Sequence, residues 1–351
     1  MTPEYLDALT YSPALRSRQA ELRGYRELRA EIKESICPII SIGKYGRTSD
    51  AAGIAEKVVE IVEHPFFADL NTVAEQQCSN WQALLNPDGN FRAWREYVAQ
   101  MENAVPIALI RDGAAERAFV RQVLAIESDH GVVAIRSRRP ASEFPLLQAA
   151  ISAVEDVNNM LIILDLGYIR ASMDAKEVEA SRIINGLRNV DPSVRIAVIS
   201  SSFPRSLSAL GEEAGQLEIL ERDLHARLGG SEVSIYGDHA AIYSEPFEAS
   251  VARWVPRIDY ATAEAWIFRR HRADDGGFPR CARELVNIPD WDAEFAEENW
   301  GANTIRLQSA AQEPLAGFGS PSPWISVRVN MHISRQASVG GGGDDFEDVL
   351  G

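Results

Sequence analysis

Three aspartates stand directly behind short apolar runs: Asp69 after PFFA, Asp165 after MLIIL and Asp238 after SIYG. Carboxylates held at the ends of neighbouring strands can converge, and a set of oxygen ligands of that kind suits Mg2+ or Mn2+. An ion there would activate water and offset charge on a leaving oxygen, so Asp69, Asp165 and Asp238 are candidate metal ligands of a phosphodiesterase or phosphoryl hydrolase. His239 follows the third aspartate, and an imidazole that titrates near neutrality suits a general base. Basic residues follow other apolar runs, among them Lys44, Arg111 and Arg136. Arginine recognises phosphate and carboxylate through paired hydrogen bonds, so these three are candidate anion ligands, with the Ser201 hydroxyl as a further donor. Each residue also has a structural reading. An aspartate past a strand caps a helix or closes a turn, serines favour turns, and carboxylates and arginines at one mouth can neutralise one another.

Other chemistries lack their patterns. No GxSxG elbow surrounds Ser200–Ser202, no P-loop or dinucleotide fingerprint occurs in the required context, and the six histidines form no HxH or HExxH pair. Cys37, Cys78 and Cys281 are odd in number and far apart, which argues against disulfides or a zinc cluster and for a reducing compartment, the cytoplasm. No stretch approaches the roughly 18 consecutive apolar residues of a membrane span, and the N-terminus has no apolar signal core. A net charge of −16 speaks against nucleic acid as a general ligand while leaving room for a local basic pocket.

The elements that must position these residues read as a repeat. Apolar runs at 4–9, 38–42, 65–70, 106–110, 132–135, 160–166, 195–200 and 232–236 are expected strands. Helical stretches are expected at 13–34 (capped by Ser12), 50–63, 91–101, 114–127, 143–157, 175–189 and 217–228, with 247–254 as the last. Runs apolar on both faces suit parallel strands covered by helices. Eight of them in about 250 residues match an α/β fold of the TIM-barrel-like (β/α)8 type, spanning residues 1–257. An open doubly wound sheet fits the same local pattern, but the count of eight favours closure. In a parallel barrel the loops at the carboxyl ends of the strands meet at one mouth, which brings the candidates above together. Residues 258–338 change texture: IDYATAEAWIFRRHR, NTIRLQSA and WISVRVNMHIS suggest a β-rich elaboration packed on the barrel. Residues 339–351 read as a disordered, glycine-rich acidic tail.

In their order, ELRGYREL, CPIISI, FFADL, GVVAIRS, MLIILDLG, SSSFP, ERDLHARL, YGDHA and IDYATAEAWIF resemble the Beta-protein family of phages and prophage-like elements. Trp324, Arg328 and His332 match that family's Trp-Arg…His-His ending, with Met331 in place of one histidine. Thr10 or Tyr11 replaces a lysine near the first strand, and His239 stands where Gly-Asp-Tyr is usual. The resemblance runs from about residue 5 to 337. It implies a barrel core and a role in prophage-encoded interference or immunity beside a toxic or effector protein partner of the same module, and it supplies no reaction. Three functions are therefore expected in competition: partner recognition with an anion at the mouth, the metallohydrolase, and a silent sensor of a nucleotide-like anion. Oligomeric state is not legible.

Overall fold

Strands that are aliphatic on both faces have no side to offer solvent, so they must be wrapped by helices outside and packed against one another inside. A computed structural model of the chain, which describes residues 1–206, 213–245 and 254–341, meets that demand by closure. Eight parallel strands form the barrel: β1 (Tyr11–Arg16), β2 (Ile39–Ile42), β3 (Phe66–Leu70), β4 (Ala104–Ala108), β5 (Val133–Ser137), β6 (Met160–Tyr168), β7 (Arg195–Ser201) and, after β8 (Ala214–Glu218), β9 (Ile235–Asp238). The ring closes where β9 pairs with both β7 and β1, in the registers Ser200↔Asp238 and Pro13↔Asp238. The fold is the (β/α)8 barrel expected from the sequence. Outside it, β8 joins β10 (Arg257–Ala261) and β11 (Ala265–Arg270) in a small antiparallel sheet of order β10-β11-β8.

The helices preceding and following the first strands are α1 (Pro3–Asp7), α2 (Gln19–Arg26), α3 (Ala30–Ser35) and α4 (Ala51–Ile61). The barrel continues with α5 (Trp81–Leu84), α6 (Asp88–Val98), α7 (Glu116–His130), α8 (Pro140–Ile151), α9 (Met173–Val190) and α10 (Glu221–Arg227). The C-terminal region adds α11 (Gly277–Leu285), α12 (Ala293–Glu298), α13 (Trp300–Ala310) and α14 (Pro321–Gly341). Local chemistry sets several boundaries. The Asp50 carboxylate accepts the Gly53 amide at 2.7 Å to start α4, and Gly131, at φ 72°, ends α7. No helix among the described residues is long and apolar enough to cross a membrane.

The expectations fail where one residue pattern serves two elements. The run at 4–9 is α1, begun by Thr2 as cap and Pro3, not the first strand. The expected helix at 13–34 instead opens as β1, all six of whose residues are buried, and continues as α2 and α3. Pro13 fits a helix start and a strand equally, and only the partners on either side, β2 and β9, decide. The expected helix at 217–228 is divided between β8 and α10, and the eighth strand runs to Asp238. The 258–270 stretch is β-rich as expected and forms the β10–β11 hairpin, but NTIRLQSA lies in α13 and WISVRVNMHIS in α14. Their β-branched residues fit either state, and the burial pattern is helical: Val329, Ile333 and Ala337 join the barrel's outer core with Tyr11 and Leu15. The expected helix at 247–254 falls almost wholly, and the tail from 342 on wholly, outside the described residues.

Helix α14 approaches its neighbours backbone to backbone. Asn330 donates to the Gly24 carbonyl at 3.1 Å on α2 and accepts the Gly301 amide at 3.0 Å on α13. A Cβ on Gly24 would stand 2.8 Å from the Ser326 carbonyl and 2.8 Å from a Val329 methyl. Gly24→Ala is therefore expected to destabilise the fold by about 1–3 kcal/mol through overpacking, read as a lower midpoint in urea unfolding.

Candidate functional site

One arginine organises the mouth. Arg136 leaves β5 toward the lumen, and its Nε and Nη2 donate to one oxygen of Asp165 on β6 at 3.0 and 2.7 Å. Its Nη1 reaches across to Asp69 on β3 at 2.9 Å and to the Ser41 hydroxyl on β2 at 3.1 Å. Arg138, just past β5, adds a second cation on the same Asp69 oxygen. On the other oxygen of Asp165, His239 Nε2 sits at 3.1 Å and the Gly167 amide at 3.1 Å. Burial alone would raise Asp165, but Arg136, His239 and Arg138 more than offset it and hold the carboxyl well below its usual range. Above these groups is a cavity of about 350 Å3 lined by Arg16, Arg136, Arg138, Asp165 and His239.

Asp238 lies in a second network. Residues alternate between barrel lumen and outer face along a strand, so Tyr236 and Asp238 share a face and His239 takes the other. Asp238 accordingly points outward, where it is fully buried. It accepts from Tyr11 at 2.9 Å, Tyr236 at 3.0 Å, His332 Nε2 of α14 at 3.0 Å and its own loop, the Ala240 amide, at 2.7 Å. Burial pushes this carboxyl up, yet the facing His332 and the hydrogen bonds bring it below its usual value. Ala240 and Ala241 follow at φ 48° and 59°, a left-handed conformation costing roughly 1–2 kcal/mol per non-glycine residue. Arg328, one turn before His332 on α14, secures this bend by donating to the Ala241 carbonyl at 3.1 Å.

A groove of about 410 Å3 adjoins the mouth between β1, the turn after β7 and the C-terminal elements. Arg16, Arg18, Arg205, Arg257, Arg270 and Arg328 line it, against Glu21 and Asp259. Arg257 and Arg328 converge on Asp259 at 3.1 and 2.6 Å. Phe203 lies under the Arg328 guanidinium at 3.9 Å, and Trp324 and the half-exposed Trp254 complete an aromatic wall. Arg16 borders both cavities. It is 8 % exposed, and its Nη2 donates to the Tyr243 carbonyl at 2.6 Å. No carboxylate of the described residues lies within 4 Å of the guanidinium, and burial pushes its pKa down. The Glu21 carboxylate binds the Arg16 amide instead, at 2.7 Å.

The structure thus brings Asp69, Asp165, Arg136 and His239 together, keeps Arg111 on an adjoining pocket that Asp69, Arg136 and Arg138 also line, and leaves Lys44, Ser201 and Asp238 elsewhere. Lys44 is exposed and bonds the Glu75 carbonyl at 3.0 Å. Arg111 is exposed and reaches the Leu85 carbonyl at 3.3 Å. Ser201 is buried and holds the Ile242 carbonyl at 2.8 Å. Asp238 faces α14. The three aspartates do not form one oxygen cage: two are bridged by a guanidinium and the third points the other way, so the arrangement gives Mg2+ or Mn2+ no common site among them. The sequence pattern does not place Arg16 at the mouth, because Pro13 fits the start of a helix, and it does not point to Asp259 and Arg257, which lie beyond the barrel. The SSSFP turn and the Trp324–Arg328–His332 spacing were the available signals for the groove.

Arg136 is the group whose loss is most informative. Arg136→Met takes the buried counter-ion shared by two carboxylates, leaving Arg138 on Asp69 and His239 on Asp165, and is expected to cost about 3–5 kcal/mol at neutral pH in urea unfolding. In the wild type the depressed Asp165 contributes stability above its unfolded value of roughly 4, lost as pH falls through the lower folded value. Without Arg136 that carboxyl loses its largest lowering partner, keeps only His239 and Arg138, and takes up its proton at a higher pH than in the wild type. The stability gap between the two proteins is expected to narrow as pH is lowered through the acid range in which the variant's carboxyl is protonated first.

Comparison with known proteins gives two matches. The family model described as Beta protein matches residues 11–338. Protein beta of Enterobacteria phage P4 is 33 % identical over 356 residues, covering 99 % of each chain. A match of that extent runs from β1 through α14 and includes every residue of the mouth and the groove. The chain belongs to the Beta protein family.

Proposed function

We propose that the protein is the recognition component of a phage- or prophage-borne defence or immunity module, acting in the cytoplasm. It binds an anionic, phosphate-bearing ligand at the barrel mouth and presents the state of that mouth to a protein partner. The observation that carries this reading is Arg16. A guanidinium removed from water without a carboxylate partner is costly, and a ligand anion is the group that would satisfy it. Arg136 does not serve in the same way, because Asp69 and Asp165 already neutralise it. The adjoining aromatic wall favours an anion that also carries a flat ring, a nucleotide-like molecule. Membership of a family with a phage relative supports the setting, and the net charge of −16 turns the surface away from nucleic acid.

A second reading, acid–base catalysis, has one observation in its favour. His239 lines the cavity, bonds Asp165 through Nε2 and has no partner for Nδ1 among the described residues. That is the base-and-orienter half of a catalytic dyad.

Titration calorimetry with inorganic phosphate, pyrophosphate, ATP and GTP tests the leading reading. At least one of these is expected to bind the wild type, and Arg16→Gln to weaken it about tenfold or more, the range of a charge-assisted hydrogen bond. Retention of a protein partner by the wild type but not by Arg16→Gln, with that ligand present, would support coupling between mouth and partner. Equal binding by the two proteins sinks the assignment of Arg16.

A further inference from the structure

His271 directly follows β11 and is 3 % exposed. Its Nε2 lies 2.9 Å from Glu284 Oε2 on α11, and a carboxylate at that distance holds the ring proton on Nε2. Nδ1 is then left with its lone pair. This atom is buried and has no hydrogen-bond partner among the described residues. What it faces are two carboxylate oxygens, Glu213 Oε2 at 3.7 Å and Asp275 Oδ2 at 3.8 Å, both too far for a hydrogen bond. Three electron-pair donors therefore surround one point, all within 4.8 Å of one another. Among the described residues this is the one such grouping of histidine, cysteine and carboxylate donors.

We propose that Glu213, His271 and Asp275 bind a single divalent transition-metal ion of the zinc type. The donor set decides the class: an imidazole nitrogen with two carboxylates suits zinc and its neighbours, whereas magnesium and calcium take oxygens alone. With bonds near 2.0–2.1 Å, tetrahedral ligand atoms stand about 3.4 Å apart, so each carboxylate oxygen needs to close on Nδ1 by only a few tenths of an ångström, and the two oxygens on each other by at most about 1.4 Å. The two carboxylates that must move are 70 % and 54 % exposed, and the imidazole that must stay is fixed by Glu284. Carboxylate, histidine and metal in series is the usual way a protein orients a ligating ring. Arg280 holds Asp275 Oδ2 at 2.6 Å, and since a carboxylate oxygen has two lone pairs it can keep this partner and ligate as well. The ion would tie the start of β8 to the segment between β11 and α11. Arg270, the neighbour of His271, lines the arginine groove, so the metal would stiffen one wall of it.

This site stands independently of the ligand proposed for the mouth. The test is titration of zinc chloride into the full-length, chelator-stripped protein, beside Glu213→Gln and Asp275→Asn. One equivalent is expected to bind the wild type and raise its Tm, with affinity falling at least tenfold in each variant; both substituted side chains lie at the surface, so the variants keep the fold. Binding of equal strength in the variants would place zinc elsewhere and overturn the site. So would an absence of zinc binding to the wild type. Tighter binding of magnesium than of zinc would overturn the assignment of the metal class.

Discussion

The mouth of this barrel depends on one guanidinium in the lumen. Arg136 projects from β5 and is bonded to β6, β3 and β2, so a single planar cation ties together strands that are not neighbours. Its planar fork allows this: Nε and Nη2 grip one carboxylate while Nη1 reaches another. Two buried carboxylates then become supports for other groups. Asp165 steadies His239, and Asp69 anchors Arg138. Charge is balanced at the base of the cavity and positive at its rim, where Arg16 meets the arginine-lined groove.

The sequence shows the architecture more clearly than the site. Six of the eight barrel strands could be placed from their apolar runs, because strands covered on both faces are hydrophobic throughout. That same property hides orientation. Asp165 and Asp238 each follow such a run, and nothing in an unbroken apolar segment says which residues face the lumen. A one-residue difference in register separates a carboxylate in the mouth from one beneath α14. The possibility that mouth carboxylates and arginines neutralise one another was legible as chemistry, but the identity of the pairs was not, since Arg136 and Asp69 are 67 residues apart.

The C-terminal region was legible as β-rich over 258–270 and not in its helices. WISVRVNMHIS is rich in β-branched residues, yet its chemistry follows a helical period: Trp324, Arg328 and His332 recur every fourth residue and line one face of α14. Read downward, that face runs from the groove to the strained bend after β9 to Asp238. These residues matter as a set because the helix carries them as one rigid piece, stitched by Asn330 to α2 and α13.

The bend at Ala240 and Ala241 also has a consequence for how the chain matures. The side chains that hold it are contributed from far downstream: Arg328 is 87 residues beyond Ala241, and His332 is 94 beyond Asp238. During synthesis the amino-terminal part of a chain begins to fold first. A nascent chain that has emerged only through this bend has every strand of the barrel, with Asp165, Ser201 and Arg16 to hold the segment that carries His239, but it lacks the two contacts from α14. The bend is therefore braced last, when the closing helix docks, and a molecule cut short before α14 would carry the residues of the mouth without that brace.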